Sequence, residues 1–203
     1  GWAPGMIQET EEWNGTSWTE VNNIPFGAYA GAGMGTQTAA LVFGGYKLPE
    51  PAFWDSGATY DGTDWATADG TMNTARGNMA SAGTQTAAII ASSSANITSV
   101  ESYDGTTWTE IADINTGRSG SNGRGNSSLA IIVGGAEPGK SDKTEYWNGT
   151  AWTEVADLAT ARNASAGGGT ATAGVLAGGI TPPHTAATEE WTVPTALETL
   201  TAS

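Results

Sequence analysis

Thr10-Glu-Glu-Trp-Asn-Gly-Thr-Ser-Trp18 returns almost unchanged as Thr144-Glu-Tyr-Trp-Asn-Gly-Thr-Ala-Trp152. Shorter copies stand between them, Thr59-Tyr-Asp-Gly-Thr-Asp-Trp65 and Glu101-Ser-Tyr-Asp-Gly-Thr-Thr-Trp108, and a fifth, broken copy follows at Thr188-Glu-Glu-Trp191. The second tryptophan recurs at intervals of 47, 43 and 44 residues, and the aromatic ahead of the turn (Trp13, Tyr60, Tyr103, Trp147, Trp191) keeps the same beat. A fixed period of this length marks a chain built from one stacked structural unit. Each complete copy is an aromatic, Asn-Gly or Asp-Gly, then Thr-x-Trp. That is the strongest short-range hairpin signal, and it predicts a two-residue type I′ turn whose central residues both take positive φ. The flanking strands are designated c and d.

Between hairpins lies a Gly/Ala segment, a Thr-rich turn, and an apolar run ending in two small residues: Ala39-Ala-Leu-Val-Phe-Gly-Gly45, Ala87-Ala-Ile-Ile-Ala-Ser-Ser93, Leu129-Ala-Ile-Ile-Val-Gly-Gly135 and Ala173-Gly-Val-Leu-Ala-Gly-Gly179. These supply strands a and b. A continuous apolar run reads as a strand buried on both faces, and an alternating Thr-Glu-Glu-Trp pattern as a half-exposed one, so a and b lie inside and c and d outside. Small residues in strand a allow neighbouring sheets to approach closely. The expected fold is all-β, a β-propeller of four-stranded antiparallel blades forming one domain over 1–203 or part of one, with repeat hairpins at 9–21, 57–67, 99–111, 143–155 and 187–201.

The double glycine after strand b, an aromatic about a dozen residues on and a Trp five residues further resemble the Kelch repeat over nearly the whole chain. The second repeat departs with Ser92-Ser93, and the fifth hairpin replaces its turn with Thr192-Val-Pro194. The Asn/Asp-Gly-Thr-x-Trp turn is also similar to the Asp-box of sialidase propellers, without the preceding Ser-x-Asp order. Pro4 precedes Trp13 by nine residues as Pro138 precedes Trp147, which sets the chain's start at the end of a strand b. Four a/b pairs and five c strands make about four and a half blades, against roughly six or seven common in Kelch-like propellers. The expectation is further blades upstream, or chains that complete one another by strand exchange, because an open half-blade exposes unpaired edges. The tail from Thr192 to Ser203 alternates weakly, as a closing outer strand would.

Charge narrows the partners. Twenty-one acidic against seven basic residues give a formal charge of −14, which repels phosphate backbones and anionic membranes. Neither nucleic acid nor membrane insertion is expected, and no apolar stretch approaches the length of a bilayer span. A Kelch-type copper oxidase needs two histidines and a cysteine cross-linked to tyrosine, whereas this chain has one His and no Cys. A glycosidase needs paired carboxylates about 5–10 Å apart; Glu20, Glu110 and Glu154 fall one per blade on outer strands. No enzyme activity, cofactor or metal is expected.

In an up-and-down sheet the d–a and b–c loops share a face, and the b–c loops (46–56, 94–97, 136–143, 180–187) are unlike one another. Variable loops on a rigid scaffold are where recognition concentrates. Tyr46 and Trp54 read either as packing over the blade edge or as contacts to a partner or sugar ring, and His184 lies on the same face. Lys140 and Lys143 read as solvated. Arg76, Arg118 and Arg162, with Ala28 at the fourth site, recur just ahead of strand a; three guanidinium groups near the channel suit a carboxylate ligand, as in a sialidase, or serve the fold by capping carbonyls. Trp18, Trp65, Trp108 and Trp152 are expected to anchor blade packing.

With Gly-Thr-Gln-Thr-Ala-Ala between hairpins, the repeat resembles those of structural and tail-fibre proteins of marine bacteriophages. The resemblance implies a virion or extracellular location, assembly with other virion or surface proteins or attachment to a host surface glycan, and a larger chain or oligomer. The alternative is a secreted or cell-surface bacterial adhesion or carbohydrate-binding propeller.

Overall fold

The computed structural model describes residues 7–47, 52–181 and 184–193. Strand β1 (Thr10–Trp13) and β2 (Trp18–Val21) form a two-stranded hairpin, followed by a short accessory strand, β3 (Ala28–Tyr29). The first complete blade contains β4 (Ala32–Thr36) and β5 (Ala39–Phe43); its b–c loop holds β6 (Tyr46–Lys47) and β7 (Ala52–Phe53), and β8 (Gly57–Tyr60) and β9 (Trp65–Thr67) complete it. The second runs β10 (Ala80–Thr84), β11 (Ala87–Ala91), β12 (Val100–Tyr103), β13 (Trp108–Ile111). The third has β14 (Asn122–Gly125) and β15 (Ala130–Val133), an accessory hairpin of β16 (Ala136–Glu137) and β17 (Gly139–Lys140), then β18 (Thr144–Trp147) and β19 (Trp152–Glu154). A three-stranded sheet of β20 (Ala166–Gly169), β21 (Ala173–Ala177) and β22 (Thr188–Thr192) follows. Every described pairing is antiparallel and each full blade is ordered a-b-c-d, so the chain folds as successive blades of a β-propeller.

Strand parity decides which neighbour each side chain meets. On β5, Leu41 and Phe43 face the following blade, where they join Ala88, Ile90, Tyr103 and Trp108 in one buried cluster. One blade on, Ile89 and Ala91 meet Ala130, Ile132, Trp147 and Trp152 in the same way. The aromatic pairs Tyr103/Trp108 and Trp147/Trp152 are therefore wedges driven into the blade before theirs. Inner strands β4, β10, β14 and β20 lie side by side around the axis. Small residues make this possible: a Cβ on Gly123 would come within 2.6 Å of the Ser81 backbone. A backbone hydrogen bond that recurs from blade to blade also ties neighbours together, from the Asn78 amide to the Ala30 carbonyl, Gly120 to Asn78, and Ala164 to Gly120, at 2.8–3.1 Å.

The turn chemistry differs from the type I′ expectation. Trp13 pairs with Trp18 and Tyr103 with Trp108, which leaves four residues between the strands, and of these the glycines (Gly15 at φ 95°, Gly105 at φ 101°) hold positive φ while the Asn or Asp does not. Instead the Asp104 carboxylate accepts hydrogen bonds from the Thr106 and Thr107 amides, and Asn14, Asp61 and Asn148 repeat the arrangement. The side chain closes the turn that backbone strain would otherwise have to close. These amides hold the carboxyls of Asp61 and Asp104 below their usual range.

Trp18 departs from its expected anchoring role. Trp108 and Trp152 are 4% and 7% exposed and Trp65 is partly buried, but Trp18 is 64% exposed and its partner Trp13 44%. No described strand precedes their hairpin to receive the wedge. Residues 194–203, where the fifth hairpin and the closing strand were expected, and residues 1–6, on which the starting register rests, lie outside the described residues.

Candidate contact face

The b–c and d–a loops do share one face, and they are bonded to each other. The first residue after each small pair meets the residue that follows the arginine position: Tyr46 pairs with Tyr29, Ser94 donates its amide to the Gly77 carbonyl at 3.0 Å, Ala136 bridges Ser119 and Ile180 bridges Asn163. Each b–c loop is thus stapled at its root. In the first loop the staple grows into a three-stranded sheet, β3-β6-β7, whose side chains form an aromatic ledge. Tyr29 lies 5.3 Å from Tyr46, and Tyr46 lies 5.6 Å edge-on to Phe53, which is 40% exposed.

Trp54 is half-buried, edge-on to the buried Phe26 at 4.1 Å, with the Lys47 ammonium 4.5 Å above its ring. Its backbone amide bonds the Gly45 carbonyl at 2.9 Å, so its local role is packing at the blade edge. Tyr46 is also half-buried but belongs to the ledge. His184 is exposed on its own loop. Lys143 is not simply solvated: it spans Glu154 at 2.8 Å and Asp157 at 3.1 Å, two carboxylates that raise its pKa. Lys140 donates to Asn163 Oδ1 at 2.8 Å.

The three arginines cannot grip an external carboxylate. Arg76, Arg118 and Arg162 are 0–1% exposed, and each is paired with a glutamate on strand c of its own blade: Glu101, Glu145 and Glu189. The other carboxylate oxygen of each glutamate accepts the amide three residues before the arginine, at Asn73 (2.6 Å), Asn115 (2.7 Å) and Ala159 (2.7 Å). The guanidinium groups also donate to carbonyls of their own blade, Ser99 for Arg76, Ile132 for Arg118 and Ala187 for Arg162. This network fastens the d–a loop to the outer half of the blade. Where the arginine position is Ala28, the glutamate position is the buried Ala58, so the pair is lost together.

Sequence reasoning missed Tyr29 and Phe26, because they lie on the preceding d–a connection and only the staple brings them beside the 46–56 loop. It also missed the arginines' partners. The signal was present: Glu101, Glu145 and Glu189 recur every 44 residues, and the arginines at intervals of 42 and 44.

No family model matches the chain, and no curated protein matches it in sequence. Among solved structures it is similar to YjhT, a Kelch-like propeller, with a TM-score of 0.75 and 15% identity over 92% of this chain and 73% of that one. At that identity the likeness concerns the fold.

Proposed function

We propose that this is a non-enzymatic propeller of a virion or extracellular assembly, which binds a structural partner or a host surface glycan through its b–c loop face. The observation that carries this reading is the construction of that face, with loops of unlike length and chemistry each fixed at the root by the same backbone staple. Such a scaffold lets recognition change while the fold stays constant. The recurring arginines and their glutamates are consumed by the frame, which leaves the ledge of Tyr29, Tyr46 and Phe53 as the chemically distinctive part of the surface. Aromatic faces of this kind suit the apolar side of a sugar ring or a protein side chain.

The ledge equally supports the second reading, a secreted or cell-surface adhesion module that binds carbohydrate. Immunogold labelling of material from the natural source separates them. Label in fixed stoichiometry on phage particles supports the first reading, and label confined to the cell envelope moves the assignment to the second. In either case Phe53→Ala together with Tyr46→Ala should abolish binding on a glycan array or to the captured partner. Unchanged binding would remove the ledge from the argument.

A further inference from the structure

The two ends of the arc carry the two halves of one blade. At one end, β1–β2 is an outer pair with no inner pair beside it, and the space where strands a and b would lie is an open cleft of about 580 Å³ lined by Thr10, Glu11, Ala32, Gly33, Val42 and Trp65. A Cβ on Gly33 would meet nothing within 4 Å, although the equivalent Gly123 abuts the neighbouring blade. Glu11 occupies the position of Glu101, Glu145 and Glu189 but is exposed, with no arginine ion pair among the described residues.

At the other end, β20–β21 is an inner pair whose strand c is β22, and no fourth strand follows among the described residues. The place of the missing d-strand tryptophan is a cavity of about 130 Å³ between the last two sheets. Its walls include Ile131, Val133 and Leu158, which stand where Ile89, Ala91 and Ile114 enclose Trp152 one blade earlier. Strand β1 reads Thr-Glu-Glu-Trp, and β22 begins with the same four residues before Thr192.

We propose that the β1–β2 hairpin of a second copy of this chain displaces β22 from β21, so that β20–β21 of one copy and β1–β2 of the other form a complete shared blade. Because β1 repeats the first four residues of β22, the incoming β1 can take four of its five pairings in the same register: Thr10 opposite Ala177, Glu11 opposite Leu176, Glu12 opposite Val175 and Trp13 opposite Gly174, with Asn14 falling opposite Ala173. Arg162 exchanges Glu189 for Glu11. The hairpin then brings a d strand, which β22 does not have among the described residues, and Trp18, which enters the cavity beside Ile131 and Leu158. In return the inner pair fills the cleft against Gly33. Reciprocal exchange pairs the edges that β1 and β20–β21 present, in the isologous manner of a two-fold interface. This inference stands independently of the proposed function.

These 203 residues include no cysteine, so exchange can be trapped with engineered ones. Glu12→Cys and Val175→Cys chains are mixed, partly unfolded in urea, refolded and oxidised, and their mass is followed by light scattering. The expected results are a dimer of the unmodified chain, a disulfide-linked heterodimer in the mixture, and a shift of tryptophan emission to the blue on dimerisation. Trp18→Ser, an exposed position that the monomer tolerates, should weaken dimerisation by about tenfold or more, since burial of the indole is lost. A monomer at all concentrations overturns the proposal. So does a dimer that forms no cross-link, and so does a disulfide closing within single chains of the Glu12→Cys/Val175→Cys double variant, which would mean that the arc closes on itself.

Discussion

Arg118 and Glu145, 27 residues apart in the chain, meet in a 2.7 Å ion pair from which water is excluded on both sides. The pair sits between the d–a loop that carries the arginine and the outer half of the blade, so it locks an irregular segment to a regular one.

Removing one partner leaves the other charged and unpaired in the interior, so Arg118→Ala or Glu145→Ala should each cost about 3–5 kcal/mol. The double variant Arg118→Ala/Glu145→Ala should cost less than the sum of the two, because Ala28 and Ala58 show that a blade of this fold forms without the pair. Urea denaturation of all four proteins in a double-mutant cycle measures the coupling, and additive losses would contradict it.

Trp108 and Trp18 are the same repeat position in different surroundings. Trp108→Ala empties a packed wedge and should cost about 3–5 kcal/mol. Trp18→Ala, measured at concentrations where the chain is monomeric, should stay within about 0.5 kcal/mol of the parent. Parallel denaturant curves test the contrast.

Inner-strand glycines should divide in the same way. Gly123→Ala places a methyl group 2.6 Å from the Ser81 backbone and should cost about 1–3 kcal/mol through displacement of neighbouring inner strands. Gly33→Ala, which meets nothing within 4 Å, should leave the melting temperature of the monomer nearly unchanged.

The Tyr60 hydroxyl donates to Glu12 at 2.8 Å, and this bond, followed by burial, pushes the phenol up to about 12. A raised phenol pKa means that the folded state holds the proton more tightly than the unfolded one. The stabilisation is therefore complete below the ordinary tyrosine value near 10 and is lost as pH rises from about 10 to 12. Ultraviolet titration of tyrosinate should show Tyr60 among the late-titrating phenols, with Tyr103, whose phenol is also raised, chiefly by burial. Tyr60→Phe should remove the Tyr60 contribution, and Glu12→Gln should move that contribution to lower pH.

The repeat, its period and the order of strands were legible in the sequence, because a blade is built from local features: an apolar run, a small pair, an aromatic and a turn. The same locality explains why the arginines' role was not legible. Arg76 and Arg162 lie on d–a loops and Glu101 and Glu189 on strand c, and only the folding of the loop over the sheet shows that the charges satisfy each other rather than a ligand. The turn was misread for a related reason. Asn-Gly fits a type I′ geometry, but the four-residue connection lets the side-chain oxygen of Asn14 or Asp104 take two amides instead.

Sequence alone therefore determined that the chain forms four-stranded blades, since hydrophobic periodicity and turn residues act within a few positions of themselves. Tertiary structure decided which of the repeated tryptophans are buried, which loops meet in the aromatic ledge and where the arc is left open. Those depend on whether a neighbouring blade is present, and identical residues such as Trp18 and Trp108 carry no mark of that difference.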